Sequence, residues 1–301
     1  MSVATAMTNR TLTAVPGVEV GHWTDDGAMT GVTVITFPSP NVGIVDVRGG
    51  GPGTRETGIL GAAIKPIAVN AVVFAGGSAY GLAAADGVMS ELEAQGIGVA
   101  VPTGVVPIVP TAIIYDLAVG RSDVRPTAAN GAQAFRARTT DPVPLGSVGA
   151  GTGATINKWA GIDSITKAGI GSYSINLGDV VVGALVVLNA VGALNDGELY
   201  DRSDISVGLR PPFGLDVAQN TTLIAVGMNA GITDRNELRR IGIRAHDALG
   251  AMIVPAHTRY DGDTAFVIDS GVHNPAVDVD VVAEAAFRCV AESIRIAAGS
   301  Q

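Results

Sequence analysis

Residues 221–230 read TTLIAVGMNA, a β-branched apolar run of strand length that starts directly after the polar pair Gln219-Asn220. Behind it, residues 234–252 carry Leu238, Ile241, Ala245 and Leu249 at helical spacing, which predicts an amphipathic helix. DTAFVIDS (263–270) reads as a second strand and residues 277–298 as a closing helix. Strand, helix, strand, helix in this order argues for a mixed α/β fold whose sheets are covered by helices.

The preceding residues keep to that class. VEVGHWTD (18–25), GVTVITF (31–37), VGIVDVRG (42–49) and NAVVFAGG (70–77) are strand-like, and the spacing of Leu82, Ala85, Val88, Met89 and Leu92 predicts a helix ending near Gly96. Residues 126–138 predict another helix, with Pro126 in its first turn. DVVVGALVVLNAVGAL (179–194) predicts a long buried strand or a strand pair. Residues 194–220 are polar and turn-rich, and read as a surface segment or linker. The uncharged stretch 96–115 approaches bilayer length, but Pro102, Pro107 and Pro110 would break a lone lipid-exposed helix. Buried strands and turns are expected there. No internal repeat is evident.

Composition narrows the function. The 301 residues include 47% hydrophobic but only 16% charged side chains, which excludes general disorder. Aromatics are 4% and glycines number 40, so the core must be aliphatic with many tight backbone approaches. A net charge of −9 argues against nucleic acid and anionic membrane surfaces as partners. Cys289 is the single cysteine, so neither an internal disulfide nor a Cys-rich zinc site can form. The first residues lack the charged head and apolar run of a secretory signal, and a cytoplasmic location is expected.

Several motifs are suggestive and incomplete. GGGPGT (49–54) and GAGTGA (149–154) fall short of a dinucleotide fingerprint; turns and close packing explain them, with a supporting role toward an oxyanion left open. Gly76-Gly77-Ser78-Ala79-Tyr80 resembles a nucleophile elbow but has Tyr80 in place of the last glycine, so pocket lining suits Ser78 and Tyr80 better than nucleophilic attack. His246, His257 and His273 show no obvious pairing, and no histidine spacing suits a metal. Asp261 and Asp263, two residues apart, share a side and could orient a neighbour or touch a cation; without further ligands no metal is expected.

The Asn220-Thr221 junction has two readings. The plainer is a strand start. In the other, the Thr221 hydroxyl attacks the preceding carbonyl, the resulting ester is hydrolysed, and Thr221 becomes an N-terminus. Such a residue carries its own base, because an α-amine has a pKa of about 7.7–8.0, and the pairing of threonine with that amine needs no histidine.

At this point the chain resembles a known family. NTTLIAVGMNAG (220–231) and RAHDALGAMIVPAHTRYDGDTAFVIDSG (244–271) resemble the small chain of the DmpA and nylon-oligomer-hydrolase family of self-processing amidohydrolases. GGGPGTRET, AGGSAYGL, VPTAIIYDL and GSVGAGTGATINK resemble its large chain, in the same order. The resemblance implies a DmpA-type αββα-like sandwich related to N-terminal-nucleophile hydrolases. It implies one domain, 1–301, cut into a large chain 1–220 and a small chain 221–301, in a tetramer of such pairs. It implies hydrolysis of amide or peptide-like substrates with no cofactor.

Residue by residue, Thr221 matches the nucleophile and Asn220–Thr221 the cleaved bond. Lys158 matches a catalytic lysine, Asn189 an oxyanion donor, Asp261 and Asp263 the carboxylates that orient the threonine, and Tyr115 a pocket tyrosine. Asn189 interrupts an apolar strand, where an unpaired amide would cost about 1–3 kcal/mol, so a partner is expected for it. Threonine with an Asp-x-Asp pair resembles the nylon-oligomer branch; the aminopeptidase branch has a serine and a Ser-x-Glu or Ser-x-Asp pair. The N-terminus is shorter than in the nylon hydrolases. The rival expectations are a DmpA-type aminopeptidase, a related acyltransferase, and a non-catalytic ligand-binding protein.

Overall fold

The computed structural model describes residues 9–61, 63–159, 161–195, 220–271 and 277–299. The polar segment expected to be a linker therefore lies, from 196 to 219, outside the described residues, as does His273.

In chain order the strands are β1 (Glu19–Asp25), β2 (Thr30–Thr36), β3 (Val42–Val47), β4 (Thr54–Arg55) and β5 (Ala71–Ala75), followed by helix α1 (Ala84–Ala94). Next come β6 (Val99–Val101), β7 (Gly104–Val106), β8 (Thr111–Ile113) and α2 (Ala128–Arg136). Then follow β9 (Thr155–Ile156), β10 (Thr166–Lys167), β11 (Ile170–Asn176), β12 (Val181–Asn189) and β13 (Ala193–Leu194). The last block is β14 (Thr221–Met228), α3 (Arg235–Met252), β15 (Ile253–Val254), β16 (Thr264–Asp269) and α4 (Val279–Gly299).

Two five-stranded sheets dominate, ordered β1-β2-β5-β8-β4 and β11-β12-β14-β16-β3. Leu185, Val187, Leu223, Ala225, Phe266 and Ile268 of the second face Ile35, Val72, Phe74, Ala112 and Ile114 of the first in one buried cluster. The outer face of the first sheet packs on α1 and α2 through Val32, Val34 and Val73 against Ala85, Val88 and Phe135. The outer face of the second packs on α3 and α4 through Val186, Ile224 and Val226 against Leu238, Ile241, Ala245, Leu249 and Val290. The layers run helix, sheet, sheet, helix: an αββα sandwich. Because β12 and β14 are covered on both faces, they read as continuous apolar runs with no polar alternation, β12 up to Asn189 and β14 after Thr221-Thr222.

β14 and β16 are parallel neighbours, a pairing that needs a crossover, and α3 supplies it. Asp234 caps that helix by accepting the Asn236 amide at 2.8 Å. The expectation for residues 96–115 needs correction. Only β8 is buried; β6 and β7 pair with each other alone, as a hairpin whose Val99, Val101 and Val106 are exposed. Among the described residues, no helix is long and apolar enough to cross a membrane.

Candidate active site

β12 ends at Asn189 and β14 begins at Thr221, and the antiparallel register sets these two residues directly opposite each other. Both continue the face that points between the sheets, the face of Val187 and Leu223. Side chains so opposed have Cβ atoms roughly 4.5–5.5 Å apart. Asn189 is fully buried, and its partners fix its orientation. Its Oδ1 accepts from Lys158 Nζ at 2.9 Å and from the Thr155 amide at 3.1 Å, so Nδ2 must point the other way, where it donates to the Tyr115 carbonyl at 3.3 Å. The partner expected for this buried amide is therefore present, and Nδ2 keeps a second N–H.

Lys158 follows β9 by two residues and turns inward. Its ammonium also donates to the Thr155 carbonyl at 2.8 Å, and among the described residues no carboxylate lies within ion-pair distance of it. Burial pushes its pKa down to about 7, against a smaller opposing pull from the charge of Asp261. A lysine in this position changes charge near neutral pH.

Asn220 is clamped into the loop before β16. Its amide donates to the Tyr260 carbonyl at 2.8 Å, and its carbonyl accepts the Gly262 amide at 2.7 Å. The Thr221 hydroxyl donates to the same carbonyl at 2.5 Å. One carbonyl thus carries two donors, and one donor belongs to the hydroxyl next along the chain. Only glycine fits at 262: a Cβ there would stand 2.5 Å from the Gly51 carbonyl oxygen and 2.8 Å from Thr221 Oγ1.

The two aspartates hold main chain of β14, of the segment after β12 and of the loop before β16. Asp263 Oδ1 accepts the Thr222 amide at 2.8 Å, while its Oδ2 accepts His257 Nδ1 at 2.7 Å and the His257 amide at 3.2 Å. Asp261 accepts from Val191 N at 3.1 Å, Thr258 N at 3.0 Å and Thr258 Oγ1 at 2.6 Å. Burial, reinforced by the charge of Asp263, raises Asp261 to about 6. Asp263 is tied to the Thr222 amide beside the junction and Asp261 to Val191 and Thr258, and the Thr221 hydroxyl is bonded to the Asn220 carbonyl instead of to either carboxylate.

The structure thus brings Thr221, Asn220, Asn189, Lys158, Asp261 and Asp263 into one buried cluster. Tyr115 joins through its carbonyl. Ser78 and Tyr80 lie on the turn after β5, beside Ile114, whose carbonyl accepts the Ser78 amide at 3.0 Å. Among the described residues no hydrogen bond ties either side chain to the cluster; Tyr80 is 60% exposed, and Arg125 stacks on its ring at 3.8 Å.

Sequence reasoning missed two contributors, the Gly262 amide and the pairing of His257, and left open the role of the glycine loop 48–53, whose Arg48, Gly50 and Gly51 amides bond to the carbonyls of Asp263, Thr258 and Asp261. The only available signal was that the loop and DGD are both glycine-bearing. Among the described residues, no group of three or more His, Cys, Asp or Glu side chains is placed to hold a metal.

A sandwich of this layering, with a hydroxyl residue opening an inner strand, has the architecture of N-terminal-nucleophile hydrolases. Solved structures share the fold. A Burkholderia sp. β-aminopeptidase superposes with a TM-score of 0.72 at 20% identity, over 96% of this chain and 86% of that one. The L-aminopeptidase D-Ala-esterase/amidase of Ochrobactrum anthropi, described as a variant of the Ntn hydrolase fold, gives 0.69 at 18% identity, over 96% and 85%.

The chain belongs to Peptidase family S58, whose model matches residues 10–298. An uncharacterized aminopeptidase of Mycobacterium bovis is 42% identical over 86% of this chain and 81% of its own. A 6-aminohexanoate-oligomer endohydrolase of Kocuria sp. is 31% identical over 84% of this chain and 73% of its own. The family read from the sequence motifs is thereby shown.

Proposed function

We propose that this protein is an amide hydrolase that activates itself by cutting the Asn220–Thr221 bond. The observation that carries the reading is the Asn220 carbonyl, held by the Gly262 amide at 2.7 Å and touched by the Thr221 hydroxyl at 2.5 Å. Attack of Oγ1 on the carbonyl carbon develops negative charge on an oxygen that already has a fixed N–H donor. Collapse breaks the C–N bond, the nitrogen takes up a proton to become the Thr221 amine, and an Asn220 ester remains on Oγ1. Water hydrolyses that ester to an Asn220 carboxylate and a free threonine hydroxyl. Lys158, with its pKa near 7 and its Nζ donating to Asn189 Oδ1, is the group suited to take the hydroxyl proton.

Burial supports self-attack over attack on a substrate in the uncut chain. Thr221 is 2% exposed and Asn220 1%, so the hydroxyl meets its own neighbour before any solute. After cutting, the freed α-amine serves as base for Thr221, and Asn189 Nδ2–H is the side-chain donor left for a substrate oxyanion. The two pieces stay together because the small chain's β14 and β16 are hydrogen-bonded between β12 and β3 of the large chain.

The threonine and the Asp261/Asp263 pair favour oligomers of an ω-amino acid amide, as in the name of the Kocuria relative. The names of the Mycobacterium relatives favour peptides with a free N-terminus. Both are tested together. Wild type and Thr221→Ser should cut themselves and hydrolyse at least one of 6-aminohexanoate oligomers and short peptides. Thr221→Ala should remain uncut and inactive; hydrolysis by folded Thr221→Ala refutes the mechanism.

A further inference from the structure

His257 sits six residues before Asp263 in the loop that carries the site, with its backbone in the left-handed region at φ 55°. Three observations set it apart from a packing residue. Its Nδ1 lies 2.7 Å from Asp263 Oδ2 and its amide 3.2 Å from the same oxygen, so one residue grips one carboxylate oxygen twice. The other oxygen, Oδ1, is the acceptor for the Thr222 amide at 2.8 Å. On its far side, His257 Nε2 is buried with no hydrogen-bond partner among the described residues, while its ring meets the edge of His246 at a centroid distance of 4.9 Å.

The tautomers follow from the acceptors. His246 Nε2 lies 3.0 Å from the Asp46 carbonyl and must donate to it. His257 Nδ1 faces a carboxylate and must donate as well. A histidine held in this tautomer fixes a carboxylate as the histidine of a metal site is itself fixed by its outer partner: through one directed N–H. The charged groups around it are Asp263, the Asp46–Arg48 ion pair and His246. Burial works against a charge on His257, but the hydrogen bond and charge of Asp263 prevail and hold it above the ordinary histidine value.

We propose that His257 is a positioning residue: its Nδ1–H locks the Asp263 carboxylate in the orientation that receives the Thr222 amide, and so sets the backbone that carries the Thr221 hydroxyl. Without the lock, Asp263 can rotate and the start of β14 loses its anchor beside the nucleophile. This assigns a role to a residue outside the site residues matched one by one, and its effect on catalysis rests on the self-cleavage proposed above.

The test has an arm that does not depend on activity. In the uncut Thr221→Ala chain, NMR should show a low-field Nδ1–H signal that His257→Ala abolishes. His257→Ala should also shift the Thr222 amide, and His257→Asn should bring that amide back, since asparagine tolerates a left-handed backbone and can offer an N–H near the same place. In the otherwise native chain, His257→Ala should slow self-cleavage by about tenfold or more, as expected for a hydrogen bond to a charged group, and His257→Asn should recover most of that loss. An unmoved Thr222 amide in His257→Ala, or equal slowing by both variants, overturns the proposal. A wild-type chain that never cuts itself would instead refute the self-cleavage reading, leaving the NMR arm to judge His257.

Discussion

Replacing Lys158 with methionine tests the electrostatics of the site without relying on its chemistry. Burial lowers this lysine from its ordinary value of 10.5 to about 7. Between those values the unfolded chain binds the proton more tightly than the folded one. The penalty is therefore fully present below pH 7 and is relieved as pH rises toward 10.5. It amounts to about 4 kcal/mol at pH 7 and about 2 kcal/mol at pH 9, so this residue alone should make the protein about 2 kcal/mol more stable at pH 9 than at pH 7.

The methionine variant removes that term. It also leaves the Thr155 carbonyl and part of the Asn189 amide with fewer donors, a pH-independent cost of about 1–3 kcal/mol. The pH slope is consequently the diagnostic. Lys167, lowered by burial to about 8, titrates in the same range but contributes equally to both proteins. Urea unfolding at pH 7, 8 and 9, on chains carrying Thr221→Ala so that neither is cut, should show a markedly flatter profile for Lys158→Met. Parallel profiles would refute the burial-lowered pKa of Lys158.

Three further outcomes are expected. Gly262→Ala forces a Cβ between the Gly51 carbonyl and Thr221 Oγ1; it should cost about 1–3 kcal/mol by overpacking and, by displacing the Gly262 amide, slow self-cleavage about a hundredfold or more, as read on denaturing gels and in melting curves. Asn189→Ala should slow cleavage and hydrolysis while leaving the chain folded, and a variant that hydrolyses amides at the wild-type rate would remove Asn189 from the reaction. Cys289, whose thiol burial pushes up to about 12, should resist alkylation at pH 8 in the native protein and react on unfolding, as followed by mass.

Much of this was legible in the sequence wherever a single segment carried the signal. The face Leu238, Ile241, Ala245 and Leu249 is buried as its spacing predicted, and β14 starts at Thr221 as the change from polar to β-branched residues implied. Strand β11 escaped notice because Gly171, Ser172 and Ser174 dilute its apolar pattern. Their reasons are tertiary: α4 passes too close for a Cβ at Gly171, and the Ser172 hydroxyl bonds to Leu12 N and the Ala184 carbonyl. The exposed β6–β7 hairpin misled for the opposite reason, since its valines look like core and meet no covering layer. The pairing of Gly262 with Asn220 depends on how the start of β14 sits against the loop before β16, and that of His257 with Asp263 on how this loop folds back on itself. Spacing along the chain does not encode it.

The central claim is that the Asn220–Thr221 bond is cut by Thr221, and a denaturing intact-mass spectrum of the purified protein addresses it first. At about 100 Da per residue, cleavage there gives fragments of roughly 22 and 8 kDa, the smaller beginning at Thr221. That pair, absent from Thr221→Ala, is the result expected. A single 30.3 kDa species that persists through long incubation would contradict the account.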